Sequence, residues 1–189
     1  IYVALTLIAQ LPAWSLLTNR AFDYLSTLNP LPLASDSPIV VAIDEPSLAE
    51  IQSQWPWPRG LHARLITALR AAGAKTIGMD IIFAEPSNPE DDAALAAALG
   101  PDVVLAGDET LVTSAQADQF VRVLPLQMFS DAYALTGIAS ITLDRDGVLR
   151  RLPPYDDGFA ATVATAAGFE IPLGVPNKLL QVYGPARTY

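Results

Sequence analysis

The chain has 189 residues, of which 51% are hydrophobic and 16% are charged. A chain of this length suits one domain with a sizeable core. The formal net charge is -9, which argues against a nucleic-acid partner because such domains need clustered basic residues. Cysteine is absent, and this excludes disulfides, thiolate metal ligands and a cysteine nucleophile.

The chain opens on an uncharged, largely apolar stretch that runs to Arg20 and does not begin with methionine. A secretory signal would show a basic start and a small-residue cleavage site, and neither is visible. We interpret residues 1–15 as the outer end of a transmembrane helix with Trp14 at the interface, and residues 16–189 as a single domain. The alternative is an apolar helix packed on that domain. The sequence ends at Tyr189, shortly after a strand-like segment at 179–183, so we expect both ends to continue in a longer protein.

Hydrophobic periodicity and turn residues predict an alternation of helices and strands. The predicted helices are 16–28, a short helix from Pro46, 61–72, a helix from Pro89 that Gly100 closes, and 159–167. The predicted strands are 39–43, 75–83, 103–106, a hairpin of 137–143 and 148–152, and 179–183. This order predicts an α/β fold with a central mixed, mostly parallel sheet flanked by helices. The C-terminal hairpin and an N-terminal membrane-proximal helix complete the expected architecture.

The segment 55–59 reads W-P-W-P-R and lies between the first two predicted strands. Each tryptophan precedes a proline, which pushes its backbone toward extended geometry and excludes a helix there. The tryptophans would either plug the sheet edge as a hydrophobic cover or form a ligand wall together with Arg59. The next helix carries His62, the single histidine, which we expect to face outward.

Three aspartates, Asp44, Asp80 and Asp108, lie near the carboxyl ends of the first three predicted strands. The carboxyl ends of parallel strands share one edge of a sheet, where open α/β folds bind their ligands. Clustered carboxylates repel one another unless a cation intervenes, so a divalent ion such as Ca²⁺ or Mg²⁺ suits this edge. The predicted metal ligands are Asp44, Asp80 and Asp92. The predicted ligand-binding residues are Asp44, Trp55, Trp57, Arg59, Asp80 and Glu85.

The same side chains also allow structural and catalytic interpretations. The alternative structural assignments are helix caps for Asp44, Asp91 and Asp92, and an ion pair of Asp80 with Arg59 or Lys75. An aspartate-nucleophile phosphohydrolase needs a second aspartate two positions after the first, and Pro46 stands there instead. A lone histidine cannot supply a zinc site or serve Ser47, which lacks a nucleophile elbow. The sequence therefore predicts no catalytic residue, and the segment 144–147 predicts a tight turn rather than a calcium loop.

Four segments in combination resemble one known family. They are I-D-E-P-S-L at 43–48, W-P-W-P-R at 55–59, G-A-K-T-I-G-M-D at 73–80 and D-R-D-G-V-L-R-R at 144–151. Together they resemble the second-type CHASE domain (cyclases/histidine kinases associated sensory extracellular), over most of residues 20–183. The positions that match its pattern carry no assigned role, and they are Asp44, Trp55, Arg59, Asp80, Asp92, Asp146 and Arg150.

That family is a bacterial extracytoplasmic input module, anchored in the membrane through flanking helices. The resemblance implies a sensor without catalysis of its own, which faces the periplasm and relays an unknown small ligand to a cytoplasmic nucleotide cyclase or kinase. We also expect a homodimer, with the helix 16–28 as the dimerising and transmitting element. Two other functions stay open: a dimerisation or scaffolding domain without a ligand, and a metal-dependent phosphohydrolase.

Overall fold

The structure is a computed structural model that describes residues 12–28, 30, 32, 37–113, 117–153, 155–171 and 179–180. The chain divides into two compact units, one of Ile1–Ala42 with Leu180–Tyr189 and one of Ile43–Leu179. The described part of the first unit contains helix α1 (Pro12–Leu28). Most of the predicted membrane-helix remnant at 1–15 lies outside the described residues. Within the described ranges, no helix is long and apolar enough to cross a membrane.

The second unit contains the remaining described helices and strands. In chain order they are α2 (Glu45–Ile51), α3 (Arg59–Ala71), β1 (Ile77–Met79), α4 (Pro89–Ala98), β2 (Val103–Thr113), β3 (Asp118–Val123), α5 (Gln127–Asp131), β4 (Leu135–Ile138) and α6 (Phe159–Ala166). Local sequence accounts for the helix ends. Asn88 caps α4 by accepting from the backbone N–H groups of Glu90 and Asp91, and Gly168 at φ 89° follows α6. Glycine adopts this left-handed conformation without steric cost, which ends the helix.

The long strand β2 organises an open, mostly parallel sheet. Its first half pairs in parallel with β1, from Ile77 opposite Val103, and with β4, from Leu135 opposite Val104. Its second half pairs in antiparallel fashion with β3. Helices flank this sheet, so the predicted α/β fold class is confirmed.

The two faces of the sheet pack against different helices. Ile77 and Met79 face a buried core that Ile66 of α3 and Leu95 of α4 complete. Because successive strand residues point to opposite faces, Gly78 between them lies on the other face, against α6. At the Gly137 position in β4, an added Cβ would lie 2.5 Å from Phe159 Cα, so glycine permits the close approach of α6.

The predicted strand at 39–43 is wrong. Residues 37–44 form no regular secondary structure, and Ile39 and Val40 are 83% and 85% exposed. A continuous β-branched run indicates a buried strand only if a neighbouring strand pairs with its backbone, and none of the described strands does so. The composition of residues 39–43 alone therefore does not establish a strand, and Asp44 does not lie at the end of one.

The predicted C-terminal hairpin is only partly present. The turn at 144–147 forms, with the Asp144 N–H donating to the Val148 carbonyl at 3.0 Å and Gly147 at φ 79°. The flanking segments are not a ladder, because residues 135–138 join β2 as β4 and Arg151 forms an isolated bridge to Leu179. Of the predicted strand 179–183, only residues 179–180 are described. The sequence analysis did not predict β3 or α5.

Candidate functional site

The W-P-W-P loop places one tryptophan in the core and the other at the surface. Trp57 is 7% exposed, and its Nε1–H donates to the Ser53 carbonyl at 3.1 Å. Trp55 is 44% exposed and meets Trp57 edge-on, with ring centroids 5.4 Å apart. Trp57 therefore covers the core, while the Trp55 ring remains accessible.

His62 is buried, so the prediction that it faces outward is wrong. The buried face of α3 consists of Arg59, His62, Ala63 and Ile66, at the i, i+3, i+4 and i+7 spacing of one helix face. The imidazole lies among aromatic rings, with its centroid 5.5 Å from that of Phe83. Burial, together with the positive charge of Arg59, lowers the pKa of His62 below its ordinary value.

Arg59 is held on every side by groups of the chain itself. Its Nη1 lies 2.5 Å from Asp92 Oδ1, and its Nη2 donates to the Glu85 carbonyl. The guanidinium carbon also lies 5.3 Å and 5.5 Å from the ring centroids of Phe83 and Phe129, at cation–π distance. The second carboxylate oxygen of Asp92 accepts from the Ser87 N–H at 3.0 Å. Arg59 and Asp92 therefore act as a structural connection between α3 and α4.

An open pocket lies beside this connection, between the end of α2, the W-P-W-P loop, α3 and α4. Its volume is about 480 Å³, and much of it is open to solvent. The residues that line it are Ile51, Ser53, Pro58, Gly60, Leu61, Arg64 and Asp91. Asp91 Oδ1 accepts from the Gly60 N–H at 3.1 Å and so joins the first turns of α3 and α4.

The predicted site residues are only partly brought together. Trp55, Trp57 and Arg59 share the loop, and Glu85 approaches Arg59 through its backbone carbonyl. Sequence reasoning missed the pocket residues Ile51, Ser53 and Arg64. The one available signal was that Arg64 lies a helical turn beyond Gly60, on the surface of α3 next to the distinctive loop.

The three predicted metal ligands occupy separate environments. Asp44 caps α2: its Oδ1 accepts from the Ser47 N–H at 3.1 Å and the Ser47 hydroxyl at 2.6 Å, and these bonds lower its pKa. Asp92 is paired with Arg59, while Asp80 is exposed. No group of three or more His, Cys, Asp or Glu side chains among the described residues could hold a metal ion. The divalent-cation site stays a prediction that this geometry does not support.

The third aspartate of the predicted acidic edge, Asp108, lies within β2 and is satisfied by hydroxyl groups. It accepts hydrogen bonds from Ser140 and, at 2.7 Å, from Thr110, and these bonds lower its pKa. Nearby, Arg122 of β3 lies 2.6 Å from both Glu109 and Asp157. These hydrogen bonds and ion pairs provide the carboxylates at this edge with partners from the chain itself.

The late D-R-D-G-V-L-R segment is braced by a buried arginine. The Arg150 side chain is 3% exposed and lies 2.8 Å from Asp144 and 2.7 Å from Asp146. Hydrogen bonding to Arg150 lowers the pKa of Asp146 to about 2. The structure thus gives Asp146 and Arg150 a role in holding the turn.

Comparison with known proteins identifies the family. The family model of the CHASE2 domain matches residues 1–185, nearly the whole chain. No match was found among curated proteins or among solved structures. CHASE2 domains are extracytoplasmic sensory domains rather than catalytic ones, in agreement with the resemblance of the four sequence segments. The chain belongs to the CHASE2 domain family.

Proposed function

We propose that this domain is the extracytoplasmic input domain of a bacterial transmembrane signalling receptor and that it senses a small ligand. The observation that carries this proposal is the CHASE2 match over residues 1–185. In this proposal the protein is anchored in the cell membrane through flanking helices, and the domain faces the periplasm. The signal passes to a cytoplasmic effector such as a nucleotide cyclase or a kinase.

We propose the pocket beside the W-P-W-P loop as the sensing site. Gly60 and Asp91 line the pocket. Gly60 follows Arg59 in the sequence, and Asp91 precedes Asp92, so each is next to one member of the buried ion pair. A ligand in the pocket would therefore contact the first turns of both α3 and α4 next to the ion pair that joins them. If α3 and α4 can pack in two arrangements, the ligand would shift the equilibrium between them only as far as its affinities for the two arrangements differ.

We further propose that the domain forms a homodimer through α1. Leu17, Tyr24 and Leu28 lie on one face of this helix at spacings of seven and four residues, and they are 59%, 67% and 60% exposed. Such a stripe would be covered if α1 packed against α1 of a second copy. This arrangement would also place the dimer contact in the helix that is expected to transmit the signal.

A melting-temperature screen of the 189-residue chain against soluble metabolites, Ca²⁺ and Mg²⁺ tests the sensing proposal. A ligand that binds the folded state alone should raise the melting temperature in a concentration-dependent way. A chain that dimerises in solution but shows no shift across the whole panel would support scaffolding instead. Turnover of generic phosphoesters with Mg²⁺ or Mn²⁺ would support the phosphohydrolase.

A further inference from the structure

We infer that the pocket beside the W-P-W-P loop takes an α-amino acid with an apolar side chain. The inference rests on the proposed sensing function, whose ligand it assigns to a chemical class. Two opposite charges and an apolar wall line the same pocket, and an apolar α-amino acid carries the complement of all three.

The cationic part of the site is the guanidinium of Arg64. This side chain is exposed on α3, and it forms no ion pair or hydrogen bond with the part of the chain that the structure describes. Arg59, Arg70 and Arg122 of the same unit show the contrast, since all three lie against carboxylates. A planar guanidinium with free donors is well suited to a ligand carboxylate, which it can bind through two parallel hydrogen bonds.

The anionic part is the carboxylate of Asp91. One oxygen accepts from the Gly60 N–H at 3.1 Å, and an ionised carboxylate offers further acceptor sites on its second oxygen. Asp91 and Arg64 line the same pocket but do not pair with each other. A ligand with an ammonium group beside its carboxylate would satisfy both charges at once.

The rest of the lining selects against other ligand classes. Ile51, Pro58 and Leu61 give the pocket an apolar wall, and Ser53 adds one hydroxyl group. A phosphate ester would meet a single cation together with the repulsion of Asp91, while a divalent metal ion would meet Arg64. A sugar would find few hydrogen-bonding groups on this wall. An apolar side chain, in contrast, would bury its surface there.

The test uses L-leucine as the probe and the ¹⁵N-labelled 189-residue chain. L-Leucine should perturb the amide resonances of Ser53, Gly60 and Leu61 in a saturable way. Two analogues each lack one charge: 4-methylpentanoate has no ammonium group, and 3-methylbutylamine has no carboxylate. Each should bind at least about tenfold more weakly, because one charge-assisted contact is lost.

Variants of the two charged residues separate their roles. Arg64→Gln should weaken L-leucine binding at least about tenfold, whereas Arg145→Gln, at an exposed arginine in the turn 144–147, should bind as the parent chain does. Asp91→Asn also alters the start of α3, so its readout is selectivity: the preference for L-leucine over 4-methylpentanoate should disappear. Because this readout is a ratio within one variant, a general loss of stability would not imitate it.

Several results would overturn the inference. Equal affinity of the parent chain for 4-methylpentanoate and L-leucine would do so, as would unchanged binding by Arg64→Gln. If L-leucine and the other apolar α-amino acids leave these resonances unmoved while a compound of another class shifts them, the ligand class is wrong and the sensing proposal stands. If no compound of the panel shifts any resonance, the sensing proposal fails together with the inference.

Discussion

Arg59 and Asp92 form a buried ion pair that joins the first residue of α3 to the first turn of α4. Arg59 Nη1 and Asp92 Oδ1 are 2.5 Å apart, and the two side chains are 10% and 6% exposed. The neighbouring residues Gly60 and Asp91 connect the same two helices by a hydrogen bond and line the pocket. The contact that fixes α3 against α4 is therefore adjacent to the proposed ligand site along both helices.

Replacing Arg59 should destabilise the domain strongly. In Arg59→Met the carboxylate of Asp92 stays buried without its cation, and breaking a buried pair in this way typically costs about 3 to 5 kcal/mol. The loss of the cation–π contacts with Phe83 and Phe129 adds to the effect. Urea unfolding followed by tryptophan fluorescence would measure the free energy of unfolding.

The matched control for this change is Arg64→Met, the same substitution at an exposed position of the same helix. We expect it to change the free energy of unfolding by less than about 0.5 kcal/mol. Similar losses in the two variants would show that the buried pair contributes no more than an exposed arginine does.

The stability of the domain should fall between neutral and mildly acidic pH because of His62. Its pKa is lowered in the folded state by burial and then by Arg59, so between that value and the ordinary 6.5 the unfolded chain binds a proton that the folded chain does not. Stability therefore falls as the pH drops below the ordinary pKa. The variant His62→Phe keeps a ring at this position and should lose this part of the pH dependence. Equal slopes for both chains between about pH 7.5 and 5.5 would contradict the assignment.

Local chemistry in the sequence was sufficient to predict several boundaries of the fold. Asn88 and Pro89 start α4, and a glycine with positive φ follows both α3 and α6, at Gly73 and Gly168. Strand pairing depends instead on distant residues. The run 39–43 has the composition of a buried strand, but it is exposed because none of the described strands is its neighbour.

The proposed pocket adjoins the W-P-W-P-R motif, but none of the six predicted ligand-binding residues lines it. Hydrophobic periodicity alone would place the buried face of α3 on its leucines, such as Leu61 and Leu65. An arginine and a histidine occupy that face instead, which hydrophobic periodicity cannot anticipate because their burial depends on Asp92 and on the neighbouring aromatic rings. The pocket combines α2, a loop and two helices, and only tertiary packing brings them together.

Acid should remove the contribution of Asp146 to stability. Arg150 lowers the pKa of this carboxyl group from 3.8 to about 2 in the folded state. The contribution is present above the unfolded pKa and is lost as the pH falls through the folded one. The parent chain should therefore be more stable than Asp146→Asn at pH 7, and the difference should shrink from about pH 4 downward. Chemical denaturation across this range measures it, and a constant difference would contradict the pairing with Arg150.

Adding a methyl group at Gly137 should separate α6 from the sheet. The Cβ of an alanine would lie 2.5 Å from Phe159 Cα and 3.1 Å from its backbone nitrogen, and backbone atoms cannot rotate away as a side chain could. Overpacking of this kind typically costs about 1 to 3 kcal/mol in the free energy of unfolding.

Gly158 offers the comparison at the N-terminus of the same helix. It has φ -60°, and an added Cβ would meet the Tyr155 carbonyl at 3.5 Å, an ordinary contact. Gly158→Ala should therefore change the free energy of unfolding by less than about 1 kcal/mol, the size of a weak helix-cap effect. If Gly137→Ala were as stable as Gly158→Ala in urea unfolding, α6 could not be packed directly against the backbone of β4.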